Sequence, residues 1–340
     1  DGICSSNAMV SVKNHCLLKQ KSKSLEVTRL KELIIGVDTG NRCIKTRNAV
    51  FVAGVKASDT APIANQDVIA FNGKYWALTN DRIPYLQDKT ETEDYFVLTL
   101  FALVKELAAR KVELKKDRPV PVHLGIGLPP SHVTRLKERF VKYFSRGMVT
   151  FRYNNQPVSI KIIDVRLFAQ GYAAIVGLPP AVRKAPHAYI VDIGGYTTDV
   201  MSLEHGVLDP RFCSSLDFGV IRMYGLIQTA IHTQTGRAPT EDMIDEVLAG
   251  DSNSRMDEDM KRIAFQIADD YVADVMRKLT ELGVDLTLNQ GIFVGGGSAR
   301  LKDRIEKSSY VRDPFFAGDI HSNAVGYEAF ITAMERQKVV

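Results

Sequence analysis

A short unit occurs twice in this chain: an apolar segment that ends in an aspartate and enters a glycine-rich turn. Residues 35–40, IGVDTG, form the first copy, and residues 190–195, IVDIGG, form the second. Repetition of a whole unit indicates that two parts of the chain share one architecture. Each copy has the pattern of a buried strand and a turn, and crossover helices follow. The sequence therefore predicts an α/β protein of two related domains with a cleft between them.

The glycine-rich turns indicate phosphate binding. Glycine tolerates positive φ angles and close approach, so backbone N–H groups can surround an anion. Asp38 and Asp192 are then placed to hold a hydrated Mg²⁺, which takes one or two carboxylates and leaves its other positions to water and phosphate oxygens. Residues 291–299, GIFVGGGSA, supply a third turn, whose glycines leave room for a base or ribose before a helix expected to begin near Ser298.

Composition agrees with a globular protein and excludes several classes. The 340 residues exceed what one core usually supports, and 45% hydrophobic with 25% charged residues is ordinary for a folded chain. A net charge of +4 is too small to indicate direct nucleic-acid binding. No apolar run long enough to span a membrane is present, and the four cysteines show neither metal-ligand spacing nor a redox pair. We therefore expect a cytoplasmic protein without membrane contacts.

Changes in composition divide the chain into three parts. Residues 1–32 are polar and rich in lysine, and we expect either a disordered natural tail or a remnant of cloning. Residues 33–182 are predicted to form the first domain, to which a terminal helix within 323–340 returns. Residues 183–322 are predicted to form the second domain, and each domain is expected to carry a small inserted subdomain.

Local signals place the remaining elements. Residues 93–112 show the apolar spacing of a helix, and residues 121–128 form an apolar strand that stops at two prolines, after which Ser131 is predicted to cap a helix. A helix is predicted from Arg166 to Val176. Further helices are predicted over residues 221–233, 240–248 and 256–282.

Three segments, taken in order, resemble the nucleotide motifs of the actin-like ATPase superfamily. Residues 38–45, DTGNRCIK, and 192–199, DIGGYTTD, are similar to its first and second phosphate motifs, and residues 295–298, GGGS, are similar to its adenosine motif. From Leu33 to its end, the chain most resembles the ParM/StbA type of bacterial plasmid-segregation actins. The resemblance implies two RNase H-like domains that flank a nucleotide cleft.

The resemblance also implies a role for each motif residue. Asp38 and Asp192 would organise Mg²⁺ through its waters and serve catalysis, and Gln170 would orient the attacking water. Lys45 would contact the β- and γ-phosphates as a point charge. The other implied nucleotide contacts are Gly40, Asn41, Gly194, Gly195, Thr197, Gly295, Gly296, Gly297 and Ser298.

Two residues depart from the superfamily pattern. Some plasmid actins have glutamate where Gln170 stands, although a glutamine amide can accept from water and donate to a phosphate oxygen. Tyr196 occupies a place where many relatives have a smaller residue, which affects the shape of the second turn. For Asp199, a hydrogen bond within its own hairpin is the simplest interpretation.

The implied function is that of a nucleotidase that forms filaments. The cleft would close on Mg-ATP, the closed form would polymerise head to tail, and hydrolysis would weaken the polymer. A DNA-binding adaptor would link filament ends to a plasmid site, so that this chain contacts protein and not DNA. The alternative is a monomeric kinase of a sugar or small acid, although residues 46–165 show no acceptor-binding segment. The choice of ATP or GTP and the filament's strand number, handedness and polarity stay open.

Overall fold

Two β-sheets with helices packed on them form the framework of the protein in a computed structural model. The structure describes residues 32–62, 67–114, 117–251, 254–317 and 319–337. Apart from Glu32, the N-terminal extension predicted over residues 1–32 lies outside the described residues. Among the described helices, none combines the length and the apolar character that crossing a bilayer requires.

The first sheet contains nine strands in the described part of the chain. Their bounds are β1 Leu33–Thr39, β2 Cys43–Lys45, β3 Val50–Val52, β4 Val55–Ser58, β5 Val68–Phe71, β6 Lys74–Leu78, β7 Val120–Leu128, β8 Met148–Tyr153 and β9 Gln156–Ala169. Their order across the sheet is β3-β2-β1-β7-β9-β8-β5-β6-β4. The central strands β1, β7 and β9 run parallel, and antiparallel strands flank them on both sides.

The second sheet repeats part of the first. Its described strands are β10 His187–Ile193, β11 Thr198–Glu204, β12 Val207–Leu216, β13 Gln290–Val294 and β14 Phe315–Phe316, in the order β12-β11-β10-β13-β14. Read in this order, the first two pairs of neighbouring strands are antiparallel and the next two pairs are parallel. The strands β3-β2-β1-β7-β9 of the first sheet show the same pattern. The predicted α/β class and the predicted relation between the two domains are confirmed.

Helices follow the strands in both domains. Their bounds are α1 Asp94–Ala109, α2 Pro130–Phe144, α3 Pro180–Arg183, α4 Val220–Thr235, α5 Glu241–Leu248, α6 Glu258–Glu281, α7 Gly295–Arg300, α8 Lys302–Glu306 and α9 Ser322–Gln337, with a 3-10 helix at Ala173–Gly177. The helices predicted over residues 93–112, 221–233, 240–248 and 256–282 are confirmed, with small differences at their ends. Thr240 caps α5 by accepting a hydrogen bond from the Met243 N–H.

The helix predicted from Arg166 to Val176 is wrong. Residues 166–169 are the last part of β9, and helical structure begins only at Ala173, as a 3-10 turn. Strand β9 pairs in parallel with β7 as far as Ala169, and this tertiary pairing overrides the weak helical preference of a short segment. Gly171, at φ +73°, then turns the chain in a conformation that favours glycine.

The starts of two helices also differ from the prediction. Helix α2 begins at Pro130 with Pro129 as its N-cap residue, so Ser131 lies within the first turn and does not cap it. Proline suits the first helical position because its φ angle is already helical and its missing N–H would have no partner there. Helix α7 begins at Gly295, before the start that was expected near Ser298.

Helix α9 packs against β1, β7 and the 3-10 helix of the first domain. Two glycines permit this close packing. A Cβ atom on Gly36 would lie 2.0 Å from the carbonyl oxygen of Ala324, and one on Gly326 would lie 2.0 Å from that of Ala173. A core cluster that includes Ile175 and Ile190 joins the 3-10 helix to the second sheet. The ends of β1 and β10 consequently reach one cavity.

Candidate active site

A cavity of about 240 Å³ lies where the central strands of the two sheets end. Twelve of the thirteen site residues predicted from the sequence line it, namely Asp38, Gly40, Asn41, Lys45, Gln170, Asp192, Gly194, Gly195, Thr197, Gly295, Gly296 and Gly297. The exception is Ser298, which is buried and whose hydroxyl oxygen has no hydrogen-bond partner among the described residues. The three glycine-rich turns therefore converge on one space.

Asp38 is the buried carboxylate that the first domain contributes. It is the second-last residue of β1 and lies opposite Lys45 in the β1–β2 hairpin. The Lys45 Nζ donates to Asp38 Oδ2 at 3.2 Å, and the Gln170 Nε2 donates to Asp38 Oδ1 at 2.9 Å. Burial opposes the charge of Lys45, but the carboxylates of Asp38 and Asp192 outweigh it and raise the pKa of Lys45. Both oxygens of Asp38 are thus held in place.

Asp192 is the equivalent carboxylate of the second domain. It lies opposite Asp199 in the β10–β11 hairpin, at the position where Asp38 faces Lys45. Burial, together with the negative charges of Asp199 and Asp38, raises the pKa of Asp192 to about 7. Burial also raises the pKa of Asp199 to about 6. These carboxylates are therefore destabilised as anions until a cation enters.

The donor set fits a hydrated divalent cation. Oδ1 of Asp199 is buried without a hydrogen-bond partner in the described part of the chain, whereas Oδ2 accepts from the Thr197 hydroxyl at 3.2 Å. Within the described residues, no three acidic, histidine or cysteine side chains could hold a metal by themselves. Mg²⁺ does not require such a cage, because it keeps several waters and uses substrate phosphates with one or two carboxylates. Asp38 and Asp192 would hold it in that manner.

The glycine turns bring backbone close to the cavity. A Cβ atom on Gly40 would lie 2.7 Å from the Cys43 carbonyl oxygen. Gly295 has a φ of +86°, and a Cβ atom there would lie 2.2 Å from Oδ1 of Asp192. The Gly194 N–H donates to the Thr197 carbonyl at 2.8 Å, within its own turn. The Gly194 N–H is therefore used within the turn, whose shape it fixes.

Gln170 lies in the turn after β9 and not on a helix. Only 8% of the residue is exposed, and its amide nitrogen is used by Asp38, which leaves the side-chain carbonyl as the group that can accept from a water. Its neighbour Gly171 donates its N–H to Asn323 Oδ1 at 2.8 Å, and Asn323 lines the same cavity as Asp192. Gln170 is therefore fixed on the Asp38 carboxylate, in a turn that α9 anchors through Asn323.

Sequence reasoning missed several residues that line the cavity, namely Arg42, Lys89, Asp199, Arg300 and Asn323. Asp199 was detectable, because it stands seven positions after Asp192, as Lys45 stands after Asp38. The hydrogen bond expected for Asp199 within its hairpin is present, but the residue also lines the cavity. Lys89 and Asn323 belong to no motif, so only the fold brings them to the site.

Family comparisons cover both halves of the chain. Residues 20–172 match the family described as actin like proteins N terminal domain. Residues 190–307 match the family described as archaeal actin homologue MreB-like, C-terminal. No curated protein matches the chain significantly in sequence.

Solved structures similar to this chain include filament proteins. A 15-stranded ParM filament from Clostridium botulinum is 19% identical over 89% of this chain and 100% of that chain, with a TM-score of 0.70. The archaeal actin homologue Ta0583 in complex with ADP is 17% identical over 88% and 99%, with a TM-score of 0.70. The Alp12 filament is 15% identical over 89% and 99%, with a TM-score of 0.62. At these identities the likeness establishes the fold.

Proposed function

This chain belongs to the actin-like superfamily, whose domain models match both of its halves, and from that premise we propose that it is a nucleoside triphosphatase that forms filaments. It hydrolyses Mg-ATP or Mg-GTP in the cavity between the two sheets. The filaments segregate plasmid DNA through a DNA-binding adaptor. The chain itself binds its own copies and the adaptor, without direct contacts to DNA or membrane.

The observation that carries this proposal is that Asp38 and Asp192 line one cavity from equivalent hairpins. Three glycine turns and Lys45 surround the same space. A cavity with this lining fits a polyphosphate whose negative charge is neutralised by Lys45 and by a cation that the two aspartates hold. When bound, Mg²⁺ would neutralise charge on the phosphate oxygens. A protein in which this region served only to pack the two sheets together would not need two buried carboxylates on one cavity.

The chain's own residues would do three things in the reaction. Lys45, held by Asp38, places a positive charge beside the phosphates. Gln170, whose amide nitrogen is fixed on Asp38, directs its carbonyl oxygen toward the attacking water and orients it. The glycine turns let backbone approach the nucleotide. Phosphoryl transfer depends mainly on positioning and charge neutralisation, which this arrangement supplies.

Filament formation is supported by the fold's relatives. A ParM filament and the Alp12 filament share this fold over nearly the whole chain. A heterologous head-to-tail contact that does not close into a ring produces an open helical polymer, which a segregation device requires. A bound triphosphate that favours the closed cleft would bias assembly by its differential affinity for the two states.

The test combines assembly with turnover. Purified protein is mixed with Mg-ATP or Mg-GTP and no acceptor, and phosphate release, pelleting and negative-stain electron microscopy are measured together. We expect filaments and phosphate release with at least one nucleotide, and loss of phosphate release in Asp192→Ala but not in the exposed control Asp59→Ala. Turnover that depends on a sugar or acid acceptor, without assembly, would contradict the proposal and favour the kinase.

A further inference from the structure

Lys89 is a buried lysine that the nucleotide motifs do not account for. It lies in the loop of residues 79–93, which connects β6 to α1, and its side chain lines the cavity with 7% of the residue exposed. Its Nζ donates a hydrogen bond to the carbonyl oxygen of Thr39, the residue that ends β1 before the first phosphate turn. The same Nζ lies 4.9 Å from the ring centroid of Tyr95.

The Lys89 ammonium has unused hydrogen-bonding capacity. It carries three N–H donors, and the Thr39 carbonyl accepts one of them. In the part of the chain that the structure describes, Lys89 forms no salt bridge with a carboxylate. Burial lowers the pKa of Lys89 to about 8, although Asp38 and Asp199 act in the opposite direction. A buried charge without a direct counter-ion is unfavourable, so this position suits an anion that enters the cavity.

The backbone around Lys89 is anchored. Asp88 accepts hydrogen bonds at its Oδ1 from the N–H and the hydroxyl of Thr90, at 2.9 and 2.6 Å. Its other oxygen pairs with Arg139 of α2 at 3.0 Å. The ammonium is therefore presented to the cavity from a fixed turn and does not depend on a freely moving loop.

The loop that carries Lys89 contacts both domains. Arg82 lies 2.8 Å from the Glu241 carboxylate on α5 of the second domain. The ring of Tyr85 lies 4.8 Å, centroid to centroid, from the ring of Tyr196, which belongs to the second phosphate turn. A connection of this length without secondary structure is uncommon in a packed domain unless it serves a function. The loop thus links Thr39 in one phosphate segment to Tyr196 in the other.

We propose that Lys89 binds the terminal phosphate of a bound nucleoside triphosphate and that it thereby distinguishes the triphosphate from the diphosphate. This inference rests on the proposed function of the cavity. Lys89 hydrogen-bonds Thr39 next to Asp38, the carboxylate that also fixes Gln170, so the ammonium lies at the end of the cavity where phosphate is transferred. A diphosphate lacks the group that Lys89 would contact.

The test measures the binding of Mg-ATP and Mg-ADP, or the guanine pair if the wild type prefers it, by isothermal titration calorimetry. Lys89→Gln keeps a donor for the Thr39 carbonyl but removes the charge, and Lys89→Met removes both. The matched control is Lys56→Gln, at an exposed lysine of the same domain. We expect the Kd for the triphosphate to rise about tenfold or more in both Lys89 variants, with the Kd for the diphosphate unchanged. The control changes neither value.

The outcomes separate this inference from the proposed function. Absence of nucleotide binding by the wild type would overturn both. Wild-type binding with equal changes for triphosphate and diphosphate in the Lys89 variants, or with no change, would overturn only the role of Lys89. A defect in Lys89→Met that Lys89→Gln does not share would assign the residue to the Thr39 hydrogen bond and overturn the role in phosphate binding. If Lys89→Met does not fold, the Kd values of Lys89→Gln alone test the role in phosphate binding. If neither variant folds, Lys89 is a structural residue and the role in phosphate binding is overturned.

Discussion

Arg42, in the first phosphate turn, places its Nη2 2.7 Å from Oδ2 of Asp245, on α5 of the other domain. Its guanidinium also lies 4.8 Å from the ring centroid of Tyr224, and its Nε lies 3.4 Å from the Glu241 carboxylate. Asp245 pairs as well with Arg300, which follows the adenosine turn, at 2.6 Å. The contacts of Arg42 cross between the domains beside the cavity and hold the two domains together.

Replacing Arg42 by alanine is expected to open the cleft. The change removes charged hydrogen bonds between the domains, each worth about 1.5–3 kcal/mol, while Asp245 keeps Arg300 as a partner. We expect a larger radius of gyration by small-angle X-ray scattering and weaker binding of Mg-ATP. Arg211→Ala is the control, because Arg211 pairs with Asp209 within its own strand. An unchanged radius and affinity in Arg42→Ala would contradict this role.

Replacing Gln170 by alanine is expected to slow hydrolysis without preventing assembly. The variant loses the carbonyl that orients water and the donor that fixes Asp38, so phosphate release should fall about tenfold or more, equivalent to at least about 1.4 kcal/mol in the barrier. Filaments should then persist longer after nucleotide addition, which light scattering measures. Gln266→Ala, at an exposed position of α6, serves as the control. Full turnover in Gln170→Ala would exclude this residue from the mechanism.

Replacing Gly326 by alanine is expected to destabilise the protein. The added Cβ would lie 2.0 Å from the Ala173 carbonyl oxygen, so α9 or the 3-10 helix has to move, at a cost of about 1–3 kcal/mol. The control is Gly225→Ala in α4, where an added Cβ meets nothing within 4 Å and helix propensity improves by about 1 kcal/mol. Thermal unfolding should show a lower Tm for the first variant and an equal or higher Tm for the second. A normal Tm in Gly326→Ala would show that α9 does not pack as described.

The stabilising effect of His123 should depend on pH. Its Nδ1 lies 2.6 Å from Asp164 and its Nε2 lies 3.0 Å from Glu32. Burial opposes the charged imidazolium, but the two carboxylates outweigh it and raise the pKa of His123. Because the folded pKa exceeds the unfolded value of about 6.5, protonation stabilises the fold fully below that value. The contribution is lost as the pH rises through the folded pKa.

His123→Gln should therefore lower the Tm more at pH 5.5 than at pH 9. Gln266→Ala, at an exposed position of α6, is the control, because this change removes no group that titrates between the two pH values. Differential scanning fluorimetry at the two pH values measures both variants. An equal loss of Tm at both pH values would mean that His123 contributes packing and not charge.

Much of the candidate site could be predicted because its parts are contiguous in sequence. A strand, an aspartate and a glycine turn are read from a few neighbouring residues, and the second copy around Asp192 confirms the first around Asp38. The two related sheets follow from the same repeat. Lys89 could not be found in this way, because its loop carries no motif and only packing brings it to Thr39.

The error at residues 166–176 has a different cause. Apolar residues near the end of β9 fit a helix as well as a strand, and periodicity cannot separate these in a short run. The parallel pairing of β9 with β7 makes this segment a strand, and that pairing depends on residues 120–128, which are distant in sequence. The family resemblance therefore placed Gln170 beside the site, although the element that carries it was assigned wrongly.

A crystal structure with Mg²⁺ and a non-hydrolysable triphosphate would show whether Asp38 and Asp192 bind one metal–nucleotide complex between them. We predict the phosphates between the two glycine turns, with the metal's waters hydrogen-bonded to both carboxylates. A nucleotide bound elsewhere, or a metal with neither a direct nor a water-mediated contact to Asp38 and Asp192, would show that the two carboxylates do not share one complex.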